Sequence, residues 1–287
     1  MRPRTVRRHP DEPEAQAYSK HSSDAGQPID IERFLMIPDH SDVTLSEEDG
    51  VRYLHFGTPW IQGAMRLSRP SDIELDYVRR MMAWLLFMSP PDEILQLGLG
   101  AGALTRFCHR RLSHSQITVV ERDRQVIDVA RLWFALPRED ARLQVLHTDA
   151  AHVVREPASL GRFGVIQADL YDAQARGPVL DSLAFYRDCR RALAAPGMLV
   201  VNLFGASHGF SKSLDRIHQA FDGRVLAMAP VPAGNRVVLA FNGPPLSVTG
   251  RMLMNRAAVL SKRYGLSDAR IDWLGALAVR GQDTVMV

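Results

Sequence analysis

The 287-residue sequence predicts an α/β protein with a mostly parallel, Rossmann-like sheet whose final strand is antiparallel. Between residues 93 and 204, apolar strand candidates alternate with segments of helical periodicity, a pattern typical of parallel strands joined by helices. A glycine-rich turn follows the first strand, where such sheets bind nucleotides. Two further strand candidates, 224–231 and 235–241, flank a Pro-Ala-Gly turn and predict a closing antiparallel hairpin.

We expect four segments along the chain. Residues 1–40 are rich in Pro, Ser and charge and lack the apolar core of a signal peptide, so they predict a disordered tail. Residues 41–71 contain two alternating runs separated by Glu-Asp-Gly and predict a small N-terminal β element. Residues 72–243 form the predicted Rossmann-like catalytic domain, which opens with a helix over 72–88. Residues 244–287 predict a helical C-terminal extension.

Composition argues against several classes of protein. The formal charge is only +3, with 35 Lys and Arg against 32 Asp and Glu, so charge gives no indication of nucleic-acid binding. No run approaches the ~20 apolar residues that a membrane span needs. Cys108 and Cys189 lack metal-ligand spacing and are expected to be free, buried thiols. The sequence therefore predicts a soluble cytoplasmic protein with no metal site.

The glycine turn "GLGAGA" begins at Gly98 and includes Gly100, directly after the strand candidate "EILQL". Glycines let a ligand approach the backbone closely, and the helix that follows offers free N–H groups. Glu121 ends the next strand, about 20 residues further on, where a carboxylate can accept both hydroxyls of a ribose. Together, the turn and the acid predict nucleoside binding.

Carboxylates also follow the next two strand candidates. Asp149 follows "LQVLHT", and Asp169 follows "FGVIQA", with Asp172 three residues later. Because ligands of open α/β sheets bind beyond the carboxyl ends of the strands, these acids, the turn and Glu121 predict one site. The acidic pair at the fourth strand favours a cationic substrate or a sulfonium cofactor.

These motifs resemble those of the spermidine synthase family of aminopropyltransferases, from residue 62 to residue 241. The glycine loop resembles the family's loop, and "DLYDAQARGP", starting at Asp169, resembles its catalytic stretch. The resemblance implies a class I methyltransferase-like Rossmann fold, a possible homodimer and no metal. It also implies aminopropyl transfer from decarboxylated S-adenosylmethionine to putrescine or a similar amine. The implied cofactor-binding residues are Gly98, Gly100, Gly102, Glu121, Asp149 and Ala150.

The resemblance also implies which residues handle the amine. Asp169 is the expected base, since an alkylammonium with a pKa near ~10 must lose a proton before it attacks. Asp172 and Tyr77 are expected to orient the amine, and both are included with Asp169 in the catalytic set. Gln62, with Tyr77 and Asp172, is expected to bind substrate.

The sequence leaves alternatives open. The family usually has an Asp at position 101, which helps hold the donor's amino group, whereas this chain has Ala101. Ala101 tolerates the carboxylate of intact S-adenosylmethionine and therefore favours a methyltransferase as the alternative. Only Tyr77 remains of the family's Tyr-His-Glu stretch, which favours a non-catalytic nucleoside- or polyamine-binding relative. An NAD-dependent oxidoreductase, which needs only the glycine turn and Glu121, is a further alternative.

Overall fold

The fold is described from a computed structural model of the chain. The model describes residues 43–57, 60–171, 180–204, 207–266, 269–281 and 283–287, together with the short strand Leu35–Met36. Most of the segment predicted as a tail, 1–40, lies outside the described residues. Asp172 and the Gly177-Pro178 pair also lie outside them.

A small antiparallel sheet forms the N-terminal part of the described chain. Its strands, in spatial order, are β1 (Leu35–Met36), β2 (Val43–Glu48), β3 (Val51–Phe56) and β4 (Gly63–Arg66). Asp49 and Gly50 join β2 to β3 with φ angles of 48° and 72°, the left-handed pair that a tight hairpin turn requires. Leu45 and Leu54 are buried on the face that packs against the rest of the protein. The predicted N-terminal β element is therefore an antiparallel sheet.

The main sheet contains seven strands. They are β5 (Glu93–Leu97), β6 (Gln116–Glu121), β7 (Leu143–His147), β8 (Phe163–Ala168), β9 (Leu193–Leu203), β10 (Val225–Ala227) and β11 (Arg236–Asn242). Their spatial order is β10-β11-β9-β8-β5-β6-β7. Strands β5 to β9 pair in parallel, whereas β11 pairs antiparallel with both β9 and β10. The predicted Rossmann-like fold class is confirmed.

The topology fixes where a ligand can bind. The chain runs from β5 outward to β6 and β7, then returns to the other side of β5 to form β8 and β9. The carboxyl ends of β5 and β8 are therefore neighbours at the point where the strand order reverses, and ligands of open α/β sheets bind in that crevice. The glycine loop follows β5 and Asp169 follows β8, so the sheet brings them to the same place.

Eight α-helices accompany the strands in the described part of the chain. They are α1 (Asp76–Arg80), α2 (Ala103–Arg111), α3 (Arg124–Trp133), α4 (Ala150–Arg155), α5 (Leu183–Ala192), α6 (Ser207–Ala220), α7 (Gly250–Tyr264) and α8 (Ala269–Ala276). The prediction of one helix over 72–88 is wrong in extent: α1 has five residues, and a 3₁₀ turn follows at Ala83–Leu86. Met81 to Leu86 are all buried, so this segment is a core connector without a solvent-facing side.

The C-terminal segment packs against α1. It contains α7, α8 and a two-stranded sheet of β12 (Ser247–Thr249) and β13 (Thr284–Met286). Trp273 is fully buried, and its indole N–H donates to the carbonyl of Arg79 at 3.1 Å. Arg80 forms a salt bridge with Asp272 at 2.6 Å. These contacts fix the helix that carries Tyr77. None of the helices in the described part of the chain is long and apolar enough to cross a membrane.

Candidate functional site

The glycine loop joins β5 to α2 in a conformation that suits glycine. Gly98, Gly100 and Gly102 have φ angles of 90°, 50° and 71°, in the left-handed region that other residues rarely adopt. A Cβ atom on Gly98 would lie 2.2 Å from the carbonyl oxygen of Asp169. Only glycine therefore allows the ends of β5 and β8 to approach this closely.

Glu121, at the end of β6, places its carboxylate against this loop. Its Oε2 accepts the N–H of Leu99 at 2.9 Å, and its Oε1 accepts the N–H of Asp123 at the same distance. Burial raises the pKa of Glu121, and hydrogen bonds from three backbone amides, those of Asp123, Leu99 and Arg122, oppose that rise. A carboxylate has about four acceptor sites, so Glu121 keeps acceptor capacity for a ligand hydroxyl. The position suits the ribose contact predicted from the sequence.

Asp149 and Ala150 lie at the start of α4, beside Glu121. Asp149 is the N-cap of this helix, and its Oδ1 accepts the N–H of Ala151 at 2.7 Å. One oxygen of Asp149 therefore stabilises the helix, while the other is available to a ligand.

A single cleft brings five of the predicted residues together. Its lining includes Gly98, Glu121, Asp149, Ala150 and Asp169. The other described lining residues, which the motifs do not single out, are Val120, Arg122, Thr148, Leu170, Tyr171 and Leu180. Among the described lining residues, three carboxylates accompany one cation, Arg122, and this balance favours a positively charged ligand.

Asp169 lies at the inner end of this cleft and is held by two donors. Its Oδ1 accepts the side-chain N–H of Asn202 at 2.9 Å, and the hydroxyl of Tyr77 donates to the same carboxylate. Burial raises the pKa of Asp169 above its ordinary value, and both hydrogen bonds act in the opposite direction by stabilising the charged form. The structure thus brings together Tyr77 and Asp169, which are 92 positions apart in the sequence.

Asn202, which the sequence analysis missed, connects Asp169 to the neighbouring strands. Its Oδ1 accepts the side-chain N–H of Asn235 at 3.2 Å, and its backbone carbonyl accepts the hydroxyl of Tyr171 at 2.8 Å. Asn202 is buried near the end of β9 in the otherwise apolar run "MLVVNLF". A lone amide in a buried strand must find a partner, and that signal was available in the sequence.

Gln62 lies just before β4, beside the glycine loop. A Cβ atom on Gly100 would be 3.6 Å from its backbone carbonyl, and its backbone N–H donates to Leu54 at 2.8 Å. Its side-chain Nε2 is buried and has no hydrogen-bond partner among the described residues. Gln62 therefore lies beside the glycine loop, whereas Asp172 lies outside the described residues.

Ala101 packs against the N-terminal sheet and is not among the described residues that line the cleft. Its side chain is 3% exposed and packs in a cluster with Val43, Leu45 and Leu54 of the N-terminal sheet. A Cβ atom on Gly63 would lie 2.4 Å from that of Ala101. An aspartate at position 101 would place a carboxylate in this apolar cluster, so Ala101 joins the glycine loop to the N-terminal sheet.

A Rossmann-like sheet with a glycine loop, an acid at the end of β6 and a hydrogen-bonded aspartate at the switch point defines a nucleoside-binding enzyme fold. Comparison with known proteins identifies the family. Residues 74–237 match the family model described as the spermine/spermidine synthase domain, and the chain belongs to this family.

Individual relatives agree with the family model. The chain is 35% identical over 231 residues to a polyamine aminopropyltransferase of Neisseria meningitidis serogroup A, covering 80% of this chain and 87% of the relative. It is 35% identical over 225 residues to a polyamine aminopropyltransferase of Chromobacterium violaceum, covering 78% and 85% of the two chains. A probable spermidine synthase of Corynebacterium glutamicum has a similar fold, with a TM-score of 0.64 at 20% identity over 84% of this chain and 93% of that one.

Proposed function

We propose that this protein is an aminopropyltransferase that moves an aminopropyl group from decarboxylated S-adenosylmethionine to putrescine or a similar amine. The family and the names of the relatives support transfer of this kind. The observation that carries the proposal is the position of Asp169. Its carboxylate, held by Tyr77 and Asn202, opens into the cleft that Glu121 and the glycine loop also line.

The donor nucleoside binds at the ends of β5, β6 and β7 in this proposal. Glu121 accepts the ribose hydroxyls, while Gly98, Gly100 and Gly102 leave room for the ligand beside the backbone. Asp149 and Ala150 lie where the adenine is expected. The donor carries a sulfonium and an ammonium, and three acids in the cleft complement that charge.

The reaction needs a free amine beside the sulfonium. The amine nitrogen attacks the carbon next to sulfur, a C–N bond forms, and the C–S bond breaks with its electron pair going to sulfur. Methylthioadenosine leaves, and Asp169 accepts the proton that the amine gives up. Tyr77 orients the amine and the carboxylate, and alignment of two reactants in an active site can supply up to ~7–11 kcal/mol of barrier reduction.

The remaining residue roles, the oligomeric state and the location rest on the sequence and on the resemblance to the family, and they stay predictions. Asp172 is proposed as a second carboxylate for the amine, and Gln62 as a substrate contact. A homodimer, a cytoplasmic location, the lack of nucleic-acid binding and a metal-free reaction are also predictions. The methyltransferase alternative is not favoured, because the matched family model is that of spermine/spermidine synthases and the relatives at 35% identity are named polyamine aminopropyltransferases.

Calorimetric titration with decarboxylated and, separately, intact S-adenosylmethionine tests the donor. We expect tighter binding of the decarboxylated form by tenfold or more, about 1.4 kcal/mol, because the additional carboxylate of the intact form enters an acidic cleft. Methylthioadenosine is the control, since it lacks both the carboxylate and the ammonium group and therefore reports nucleoside binding alone. Equal or reversed affinity for the two donors would contradict the proposal and favour methyl transfer.

A further inference from the structure

Arg106 is a charged side chain in the protein interior. It lies on α2, directly after the glycine loop, and is 2% exposed. It forms no ion pair with any carboxylate of the described residues, and burial alone lowers the pKa of its guanidinium to about 9. A buried charge without a counter-ion costs several kcal/mol unless hydrogen bonds compensate for its desolvation.

Backbone carbonyls supply that compensation. The Nε of Arg106 donates to Pro70 at 2.6 Å, and Nη1 donates to both Ala101 and Phe134, the latter at 2.8 Å. Nη2 donates to Ala64 at 3.4 Å. The planar guanidinium, with five donors in a fixed fork, is suited to join several carbonyls at once.

The four carbonyls come from three segments of the chain. Ala101 belongs to the glycine loop, and Phe134 follows α3. Ala64 and Pro70 lie between Gln62 and Tyr77, on the only stretch of chain that connects these two proposed substrate residues. One side chain therefore links the glycine loop, which is proposed to contact the aminopropyl donor, to the segment that leads to Tyr77, which is proposed to contact the amine.

We propose that Arg106 is a positioning residue that fixes the glycine loop relative to the segment from Gln62 to Tyr77. It thereby holds donor and acceptor in line. The inference rests on the proposed aminopropyl transfer, because only a two-substrate reaction requires that these two parts of the site keep a set distance. Hydrophobic packing alone does not require an arginine here, since an apolar side chain of similar length fills the same space at no charge-burial cost.

The test compares Arg106→Lys and Arg106→Met with a matched control. Lysine keeps the charge but cannot reach four carbonyls, and methionine keeps the apolar stem. The control is Arg224→Lys, because Arg224 also donates to two carbonyls, those of Phe241 and Gly243, beside the edge strand β10. Thermal unfolding, the methylthioadenosine dissociation constant, kcat and the KM for putrescine are measured for each protein well below its Tm.

We expect Arg106→Lys to lower kcat by ~10²-fold, the loss that a shift of ~1 Å between reacting groups produces. Arg224→Lys, at a comparable loss of Tm, is expected to keep kcat within about twofold. If Arg106→Met does not fold, the inference is tested by comparing the kcat of Arg106→Lys with that of Arg224→Lys. A lower Tm for Arg106→Lys with unchanged kcat would overturn the inference and leave Arg106 as a structural residue.

The same experiment separates this inference from the proposed function. If the unmodified protein turns over and Arg106→Lys does so equally well, the positioning role alone fails. If the unmodified protein binds methylthioadenosine but shows no transfer to any amine, the proposed function fails, and the positioning inference fails with it.

Discussion

Replacing Asp169 by asparagine removes the proposed base while keeping the volume of the side chain. In the structure the carboxylate accepts hydrogen bonds from Asn202, at 2.9 Å, and from Tyr77. Asparagine replaces one carboxylate oxygen with an NH₂ group, so a donor that used that oxygen loses its acceptor unless it shares the remaining one. A buried donor left unsatisfied costs ~1–3 kcal/mol. The free energy of unfolding of a typical domain is ~5–15 kcal/mol, so a domain with this loss usually stays folded. We therefore expect a folded Asp169→Asn variant with a lower free energy of unfolding.

The catalytic effect is expected to be much larger than the effect on binding. Loss of a general base typically lowers kcat by ~10²–10⁴-fold, or about 3–5 kcal/mol. Methylthioadenosine affinity should change by less than about threefold, since Glu121 and the glycine loop keep their contacts. The assay measures methylthioadenosine release under saturating donor and amine, and calorimetry measures nucleoside affinity.

Asp188→Asn is the matched control. Asp188 lies on α5 and pairs with Arg155 at 2.9 Å, so the same change of charge occurs outside the cleft. The control is expected to keep kcat. An Asp169→Asn variant with kcat within threefold of the unmodified protein would refute the role of Asp169 as base.

Three further predictions follow from the site. Glu121→Gln should weaken methylthioadenosine binding by ~10–100-fold in calorimetry, because a hydrogen bond to a charged carboxylate contributes ~1.5–3 kcal/mol. Asn202→Ala should move the acidic limb of the kcat/KM profile to higher pH: loss of its N–H donor raises the pKa of Asp169, and activity falls as pH decreases through that pKa. Ala101→Asp should lower the free energy of unfolding by ~3 kcal/mol or more in urea denaturation, because it buries a charge in an apolar cluster.

Each of these predictions has a comparison that isolates its cause. Glu139→Gln removes a carboxylate that also accepts a backbone N–H, that of Val145 at 2.9 Å, and should leave nucleoside affinity unchanged. The pH profiles of Asn202→Ala and the unmodified protein are measured with the same amine, so the pKa of the amine does not contribute to the difference between them. Leu132→Asp changes a residue that is 74% exposed and should alter stability by less than about 0.5 kcal/mol. An unchanged acidic limb in Asn202→Ala, or unchanged stability in Ala101→Asp, would show that these contacts are misassigned.

Local patterns were sufficient to predict the sheet and several of the residues that line the cleft. Strand and helix periods alternate clearly from residue 93 onward. Gly98 and Asp169 follow β5 and β8, whose carboxyl ends are neighbours at the switch point, and Glu121 ends the adjacent β6. The order of strands and helices along the chain was enough to predict these residues. Tyr77 was predicted only by resemblance, and its contact with Asp169 became visible with the packing of α1 against the sheet.

The remaining features depend on contacts between distant segments. The segment 72–88 has apolar residues at helical spacing, but it forms the short helix α1 and a 3₁₀ turn, and its residues 81–86 are buried. Arg106 looks like a surface residue of a helix in the sequence, because its carbonyl partners are 5 to 42 positions away. Ala101 likewise gave no sign that it packs against Gly63. Such roles follow from tertiary structure and not from local periodicity.

Turnover with two defined substrates tests the central claim most directly. The purified chain is incubated with decarboxylated S-adenosylmethionine and putrescine, and products are quantified by chromatography and mass spectrometry. Aminopropyl transfer predicts methylthioadenosine and the aminopropylated amine in equal amounts, with neither product formed when the amine is omitted. Binding of methylthioadenosine without any product, or methylation of an acceptor by intact S-adenosylmethionine, would contradict the assignment.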